Sequence, residues 1–251
     1  MPTWTIDALL PEVRRISGRC WRVVEAQHVV STMALVDTLD EQALLEQVLD
    51  ASKPAVPDDC RHHHYLLFTP FRYGALHPQG SRFRRAGLTA GVFYASLQTA
   101  TAVAEMAFWR LLFYAESPAT PWPANAGEYT AFAVRFTARK GLDLTRPPLN
   151  RDAAKWLDPV DYTHCQALAE SARPAGVQAI KYQSARAPGL NVALFTCAAF
   201  VTRQPEQTRR WRIHLSAGGA RAIGESADER LAFDRAAFAR DPRIASLKWD
   251  R

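Results

Sequence analysis

Gly91-Val-Phe-Tyr94-Ala-Ser96-Leu-Gln-Thr99-Ala-Thr101-Ala-Val-Ala-Glu105-Met-Ala-Phe-Trp-Arg110-Leu-Leu-Phe-Tyr114 is the stretch whose reading decides the fold. Gly91 to Ser96 has the apolar and aromatic character of a short strand. Leu97-Gln98-Thr99 is a turn, with Ser96 or Thr99 as a candidate cap for the helix that follows. From Thr99 on, Glu105 and Arg110 are the only charges. A helix apolar on almost every side belongs in a core, so a lone carboxylate within it is either costly or useful. Glu105 and Arg110 fall on different helical faces, so the partner of Glu105 has to come from elsewhere in the chain.

Upstream, Cys20-Trp-Arg22-Val-Val reads as a strand with Arg22 on one face. Thr38-x-x-Glu41 has capping-box spacing and opens a scaffold helix with an apolar stripe of Leu39, Ala43, Val48 and Leu49. His64 to Tyr73 reads as an apolar strand running into a loop, and Gly80 to Gly87 is polar and carries Arg82, Arg84 and Arg85. Downstream, the prolines of Ser117-Pro-Ala-Thr-Pro-Trp-Pro123 end the helix. Strands are expected at Tyr129–Phe136, Gly141–Leu144, Val177–Tyr182, Leu190–Phe195 and Arg210–Leu215, with one helix from Tyr162 to Ala172. No internal repeat is visible. Interleaving this irregular indicates an α+β fold, a single mixed α/β domain over residues 1–251, and excludes a doubly wound sheet.

With 251 residues, 48% of them hydrophobic, the chain can bury a substantial core. Its net charge is +6, and arginines cluster at Arg14-Arg15, Arg19, Arg22, Arg82 to Arg85 and Arg209 to Arg212, which suits an anionic ligand. The apolar runs are too short to span a bilayer, no secretory signal is visible, and a cytoplasmic location without membrane contact is expected. Cys20, Cys60, Cys165 and Cys197 are widely spaced, contain no C-x-x-C pair, and read as reduced structural thiols. Cys60-Arg-His62-His63-His64 lacks a matching second ligand pair, so no metal site is expected.

Four stretches stand out together: Trp21-Arg22, Gly80-Ser-Arg82-Phe, the strand, turn and helix through Glu105, and Tyr182-Gln-Ser184 followed by Asn191-Val-Ala-Leu-Phe195. Their order and residue types resemble the RES-domain family, from about Arg22 to Phe195. Many members carry Gly-Gly-Arg-Trp-Asn where this chain has Gly80-Ser-Arg82-Phe-Arg84. The resemblance implies an ADP-ribosyltransferase-like fold with two small sheets flanked by helices, a core over about residues 20–200, and extensions at both ends. It also implies a bacterial NAD+-degrading toxin, NAD+ phosphorylase or glycohydrolase, partnered by a small Xre-type helix-turn-helix antitoxin.

By that resemblance Arg22 and Arg82 hold the phosphates, Tyr94 packs at the nicotinamide end, Glu105 acts at the ribose and Ser184 completes the pocket. Arg72-Tyr73 is a secondary candidate NAD-binding pair. NAD+ is then substrate, with no separate cofactor and with inorganic phosphate as a candidate co-substrate.

The residue types fit that chemistry. Cleaving the nicotinamide–ribose bond leaves positive charge on the sugar in an oxocarbenium-like transition state, which a carboxylate on a rigid helix stabilises. The planar donor fork of arginine matches pyrophosphate oxygens. Phosphate as nucleophile gives ADP-ribose-1″-phosphate, water gives hydrolysis, and the sequence does not separate the two. ADP-ribosyl transfer to a protein is the alternative on the same fold. A basic nucleic-acid-binding module is disfavoured because Trp21, Phe83 and Tyr94 sit in apolar segments. The oligomeric state stays open, a homo-oligomer included.

Overall fold

Gly127 to Asp143 forms one strand of 17 residues in the computed structural model, which describes residues 4–26, 35–72, 80–87, 90–226 and 228–250. It merges the two strands expected at Tyr129–Phe136 and Gly141–Leu144. The elements run α1 (Ile6–Leu9), β1 (Arg14–Glu25), α2 (Leu39–Ser52), α3 (Tyr65–Arg72), β2 (Phe93–Ser96), α4 (Thr99–Glu116), β3 (Gly127–Asp143), α5 (Ala153–Trp156), α6 (Thr163–Ala172), β4 (Ala179–Gln183), β5 (Leu190–Leu194), β6 (Gln207–Ser216), β7 (Gly219–Gly224), β8 (Arg230–Phe233) and α7 (Pro242–Ala245). The mixed α/β class agrees with the sequence reading.

β1 lies antiparallel along one edge of β3, from Glu25 opposite Tyr129 to Arg14 opposite Gly141. The other edge of β3 is divided, with antiparallel β6 on residues 127–133 and parallel β4 on residues 141–143. β4 pairs with β5, β5 with β2, and β2 returns to β1 through Trp21 opposite Ser96. Five strands therefore close into a hydrogen-bonded ring, and β6, β7 and β8 leave it as an antiparallel arm. The two small sheets expected from the family resemblance are thus one eight-stranded sheet. They are joined because β3 is long enough to serve both.

α4 packs its Val103, Ala107, Phe108, Leu111 and Leu112 face against Trp21, Ala131, Ala133, Trp211 and Ile213. Phe93, Phe132, Val134, Val192 and Leu194 fill a second core region, and α6 covers a third with Leu142, Ile180 and Tyr182. No helix among the described residues is long and apolar enough to cross a membrane.

Several local expectations are corrected. Tyr65–Arg72 is helical where a strand was expected, and Leu67 is fully buried while Phe71 packs edge-on against Phe200. A short apolar run does not by itself distinguish a buried strand from a buried helix. β1 begins at Arg14, not near Cys20. α2 has the predicted capping box, with Thr38 and Glu41 satisfying each other's backbone amides, yet none of its residues is buried. α4 takes Gln98 as N-cap, with no side-chain cap bond. Cys60 and Cys197 are joined as a disulfide, with Cα atoms 5.4 Å apart, so only Cys20 and Cys165 are free, both buried. Such bonds persist in oxidising surroundings, which runs against the reduced thiols read from the spacing.

Asp143, at the end of β3, accepts from Lys181 Nζ (2.7 Å), Thr145 Oγ1 (2.6 Å) and Thr145 N (3.1 Å). Burial alone pushes its carboxyl up, but these donors outweigh burial and hold it below the ordinary aspartate range. A depressed carboxyl stabilises the fold above its unfolded-state pKa of about 3.9, and that contribution is lost as pH falls through the folded value. Urea midpoints measured from about pH 5 down to pH 3 should fall less steeply in Asp143→Asn than in the wild type.

Candidate active site

A row of four cross-strand neighbours forms one wall of a cleft of ≈ 280 Å³. Trp21 on β1 lies opposite Ser96 on β2, Ser96 opposite Asn191 on β5, and Asn191 opposite Tyr182 on β4. All four line the cleft. α4 supplies a facing wall with Ala102, Glu105, Met106 and Trp109, a spacing of i, i+3, i+4 and i+7 that places them on one helical face. Their stripe adjoins the face packed into the core. The helix that reads as uniformly apolar therefore has a core side and a cleft side.

Glu105 Oε1 accepts two hydrogen bonds, from Ser184 Oγ and from Asn191 Nδ2, each 2.7 Å. Asn191 Oδ1 accepts in turn from Ser96 Oγ at 2.7 Å. Ser184 Oγ is itself fixed by the amides of Arg186 and Ala187, each at 3.1 Å. Glu105 Oε2 has the Arg186 Nε at 3.9 Å as its ion pair. The guanidinium of Arg186 lies 4.0 Å over the Phe108 ring, and its Nη2 donates to Tyr162 Oη at 2.9 Å. One carboxylate oxygen is thus committed to the scaffold, while the other is held only by a long ion pair.

The arginines Arg22 and Arg82 also line this cleft. Arg22 donates to the Tyr94 carbonyl at 2.9 Å and lies over the Phe93 ring. Burial pulls its guanidinium down to about 10, which leaves it charged at neutral pH. Arg82 is only 6% exposed. Its Nη1 donates to the Trp156 carbonyl at 2.5 Å, its guanidinium faces the Tyr162 ring, and its Nη2 is buried without a partner. Among the described residues no carboxylate pairs with either cation. A charge withdrawn from water without a counter-charge is costly, and two such cations, one buried and one half-buried, line one cleft.

Tyr94 Oη bonds Ser81 Oγ (2.8 Å) and accepts from the Phe83 amide (2.9 Å), and so ties the turn that carries Arg82 to β2. Phe93, next to it in sequence, points the other way into the core.

Of the sequence candidates, Arg22, Arg82, Tyr94 and Glu105 come together at this cleft. Ser184 stands behind Glu105 and lines a neighbouring cavity. Arg85 is engaged by Glu170, so among the basic residues of that loop Arg82 is the cleft residue. Arg72 is drawn away to the Pro54 carbonyl and Asp50, and Tyr73 lies outside the described residues. Arg186 and Asn191 were given no role at the site from sequence, and Ser96 was read only as a candidate helix cap. Arg186 belongs to the turn already singled out for Ser184, and that proximity was the available signal.

A family model described as the RES domain matches residues 56–216, well over half of the chain. The chain belongs to the RES-domain family. No curated protein sequence matches it. Among solved structures, the crystal structure of the M. tuberculosis MbcT-MbcA toxin-antitoxin complex is similar, with 16% identity and a TM-score of 0.47 over 81% of this chain and 87% of that one. The RES-domain match takes in Arg82, Tyr94, Glu105 and Ser184 but stops short of Trp21 and Arg22, which β1 brings to the same cleft.

The turn that presents Ser184 depends on Gly189. Its φ is +113°, and a Cβ there would stand 2.3 Å from Thr101 Oγ1. Thr101 Oγ1 holds the Pro188 carbonyl at 2.8 Å, and the Ser184 amide donates to the Gly189 carbonyl at 3.0 Å. Gly189→Ala should cost about 2 kcal/mol of stability, measured by urea unfolding, because the turn must move off α4.

Proposed function

We propose that this RES-domain protein degrades NAD+ by cleaving the bond between nicotinamide and ribose. The observation that carries the reading is the juxtaposition, in one cleft, of the oriented Glu105 carboxylate with the guanidinium groups of Arg22 and Arg82, neither of which has a carboxylate partner among the described residues. The ligand that satisfies both must carry clustered negative charge at one end and develop positive charge at the other. A dinucleotide with a cationic leaving group does both.

In this reading Arg22 and Arg82 bind pyrophosphate oxygens. The aromatic rings of Trp21, Tyr162 and Trp109 bound the space open to a planar ring. Glu105 Oε2 accepts from a ribose hydroxyl or faces the oxocarbenium directly, while Asn191 and Ser184 fix the carboxylate so that it need not reorganise as charge develops. The C–N bond breaks, and its electron pair leaves with nicotinamide. A phosphate oxygen, or a water oxygen that gives up a proton to solvent, then bonds to the ribose carbon.

A toxin role with an Xre-type helix-turn-helix antitoxin as partner belongs to the same proposal and rests on membership of the family.

Pure protein incubated with NAD+, with and without inorganic phosphate, tests the reaction. Nicotinamide should be released, with ADP-ribose-1″-phosphate as co-product where phosphate is the nucleophile and ADP-ribose where it is water. Label accumulating on a macromolecule while bulk NAD+ persists would point to ADP-ribosyl transfer instead. Glu105→Gln should lower kcat by about 10²- to 10³-fold, the usual cost of losing one preorganised electrostatic stabiliser. Undiminished turnover in that variant would remove Glu105 from the site.

A further inference from the structure

We infer that the Tyr182 hydroxyl is a ligand contact, donating a hydrogen bond to an oxygen of the ribose-phosphate part of the substrate, between the arginines and Glu105. The inference rests on the reading of the cleft as an NAD+ site and extends it to a residue that reading leaves without a role.

Three observations carry it. First, the Tyr182 side chain is fixed. It projects from β4 at the end of the Trp21, Ser96, Asn191 and Tyr182 row, directly opposite the asparagine that holds Glu105. Its ring packs edge-on against Phe83, with centroids 4.9 Å apart. The residue is only 5% exposed.

Second, its hydroxyl has no hydrogen-bond partner among the described residues, although the residue lines the cleft. The other two cleft tyrosines are engaged within the protein, Tyr94 with Ser81 and the Phe83 amide, and Tyr162 with Arg186 and the Pro159 carbonyl. The phenol of so buried a residue ordinarily finds a partner in whatever its oxygen meets, and here the residue borders the cleft. Tyr182 lacks one in the same cleft in which Arg82 Nη2 also lacks one.

Third, Tyr182 lies within electrostatic reach of Glu105, Arg82 and Arg186. That is where a sugar joined to a phosphate would sit if its phosphate met Arg82 and its ribose met Glu105. Burial, with the Glu105 charge adding to it, pushes the phenol well above its ordinary range. It therefore stays protonated and is a donor at any working pH.

Tyr182→Phe removes the oxygen and keeps the ring. The expected result is about a tenfold fall in kcat/KM for NAD+ and a matching tenfold weakening of ADP-ribose binding by calorimetry, the loss of one neutral hydrogen bond. The melting temperature should be unchanged, because no bond within the protein is lost. Kinetics and ADP-ribose affinity within twofold of the wild type would overturn the inference, as would a lowered melting temperature with unaltered binding. A wild-type protein that neither consumes NAD+ nor binds ADP-ribose would overturn the functional reading and this inference together. Wild-type activity with an indifferent Tyr182→Phe would overturn this inference alone.

Discussion

The pairing of β3 with three partners is the constraint on which the rest of the fold depends. β1 occupies one edge for most of the strand's length, and the other edge changes hands from β6 to β4. Only a strand of this length can hold the antiparallel arm and the closing ring at once. Closure through Trp21 and Ser96 brings four strands into register beneath α4. The cleft is therefore formed by alignment across strands, and its residues come from segments far apart in sequence.

The electrostatics of the cleft follow from unequal satisfaction of its polar groups. Ser96, Asn191, Ser184 and Tyr94 are bonded within the protein and position other groups. Arg82 Nη2 and the Tyr182 hydroxyl are unpartnered among the described residues. A buried donor left unsatisfied, as Arg82 Nη2 is, lowers stability. Arg186 occupies an intermediate place. Stacked on Phe108 and bonded to Tyr162, it offsets the Glu105 charge at a distance that leaves Oε2 open to a ligand.

Much of this was legible in the sequence, and what was not has a physical reason. The strand, turn and helix from Gly91 to Tyr114 could be read because their periodicities differ and Glu105 breaks the apolar pattern. The convergence of Arg22, Arg82, Tyr94 and Glu105 followed from the family resemblance. The immediate partners of Glu105 did not, because Asn191 meets it only through the β2, β5 and β4 register, and register is set by turns and pleat alternation acting together. Arg186 was passed over for Arg22 and Arg82 because charge alone does not reveal which guanidinium lies beside the Glu105 carboxylate. α3 was mistaken for a strand because its apolar run is short. The α2 stripe was legible as a pattern, but a pattern does not state what covers it, and its residues are exposed.

The Cys60–Cys197 bond joins residues separated by 137 positions. The covalent ring it closes contains every cleft residue except those of β1. A cut in the segment between α4 and β3, where most residues are at least partly exposed, would divide the backbone between Glu105 and its partners Ser184 and Asn191. The two pieces would stay one molecule. In the oxidised form, the integrity of the cleft is therefore topologically independent of the peptide chain at that point, and under reduction it is not.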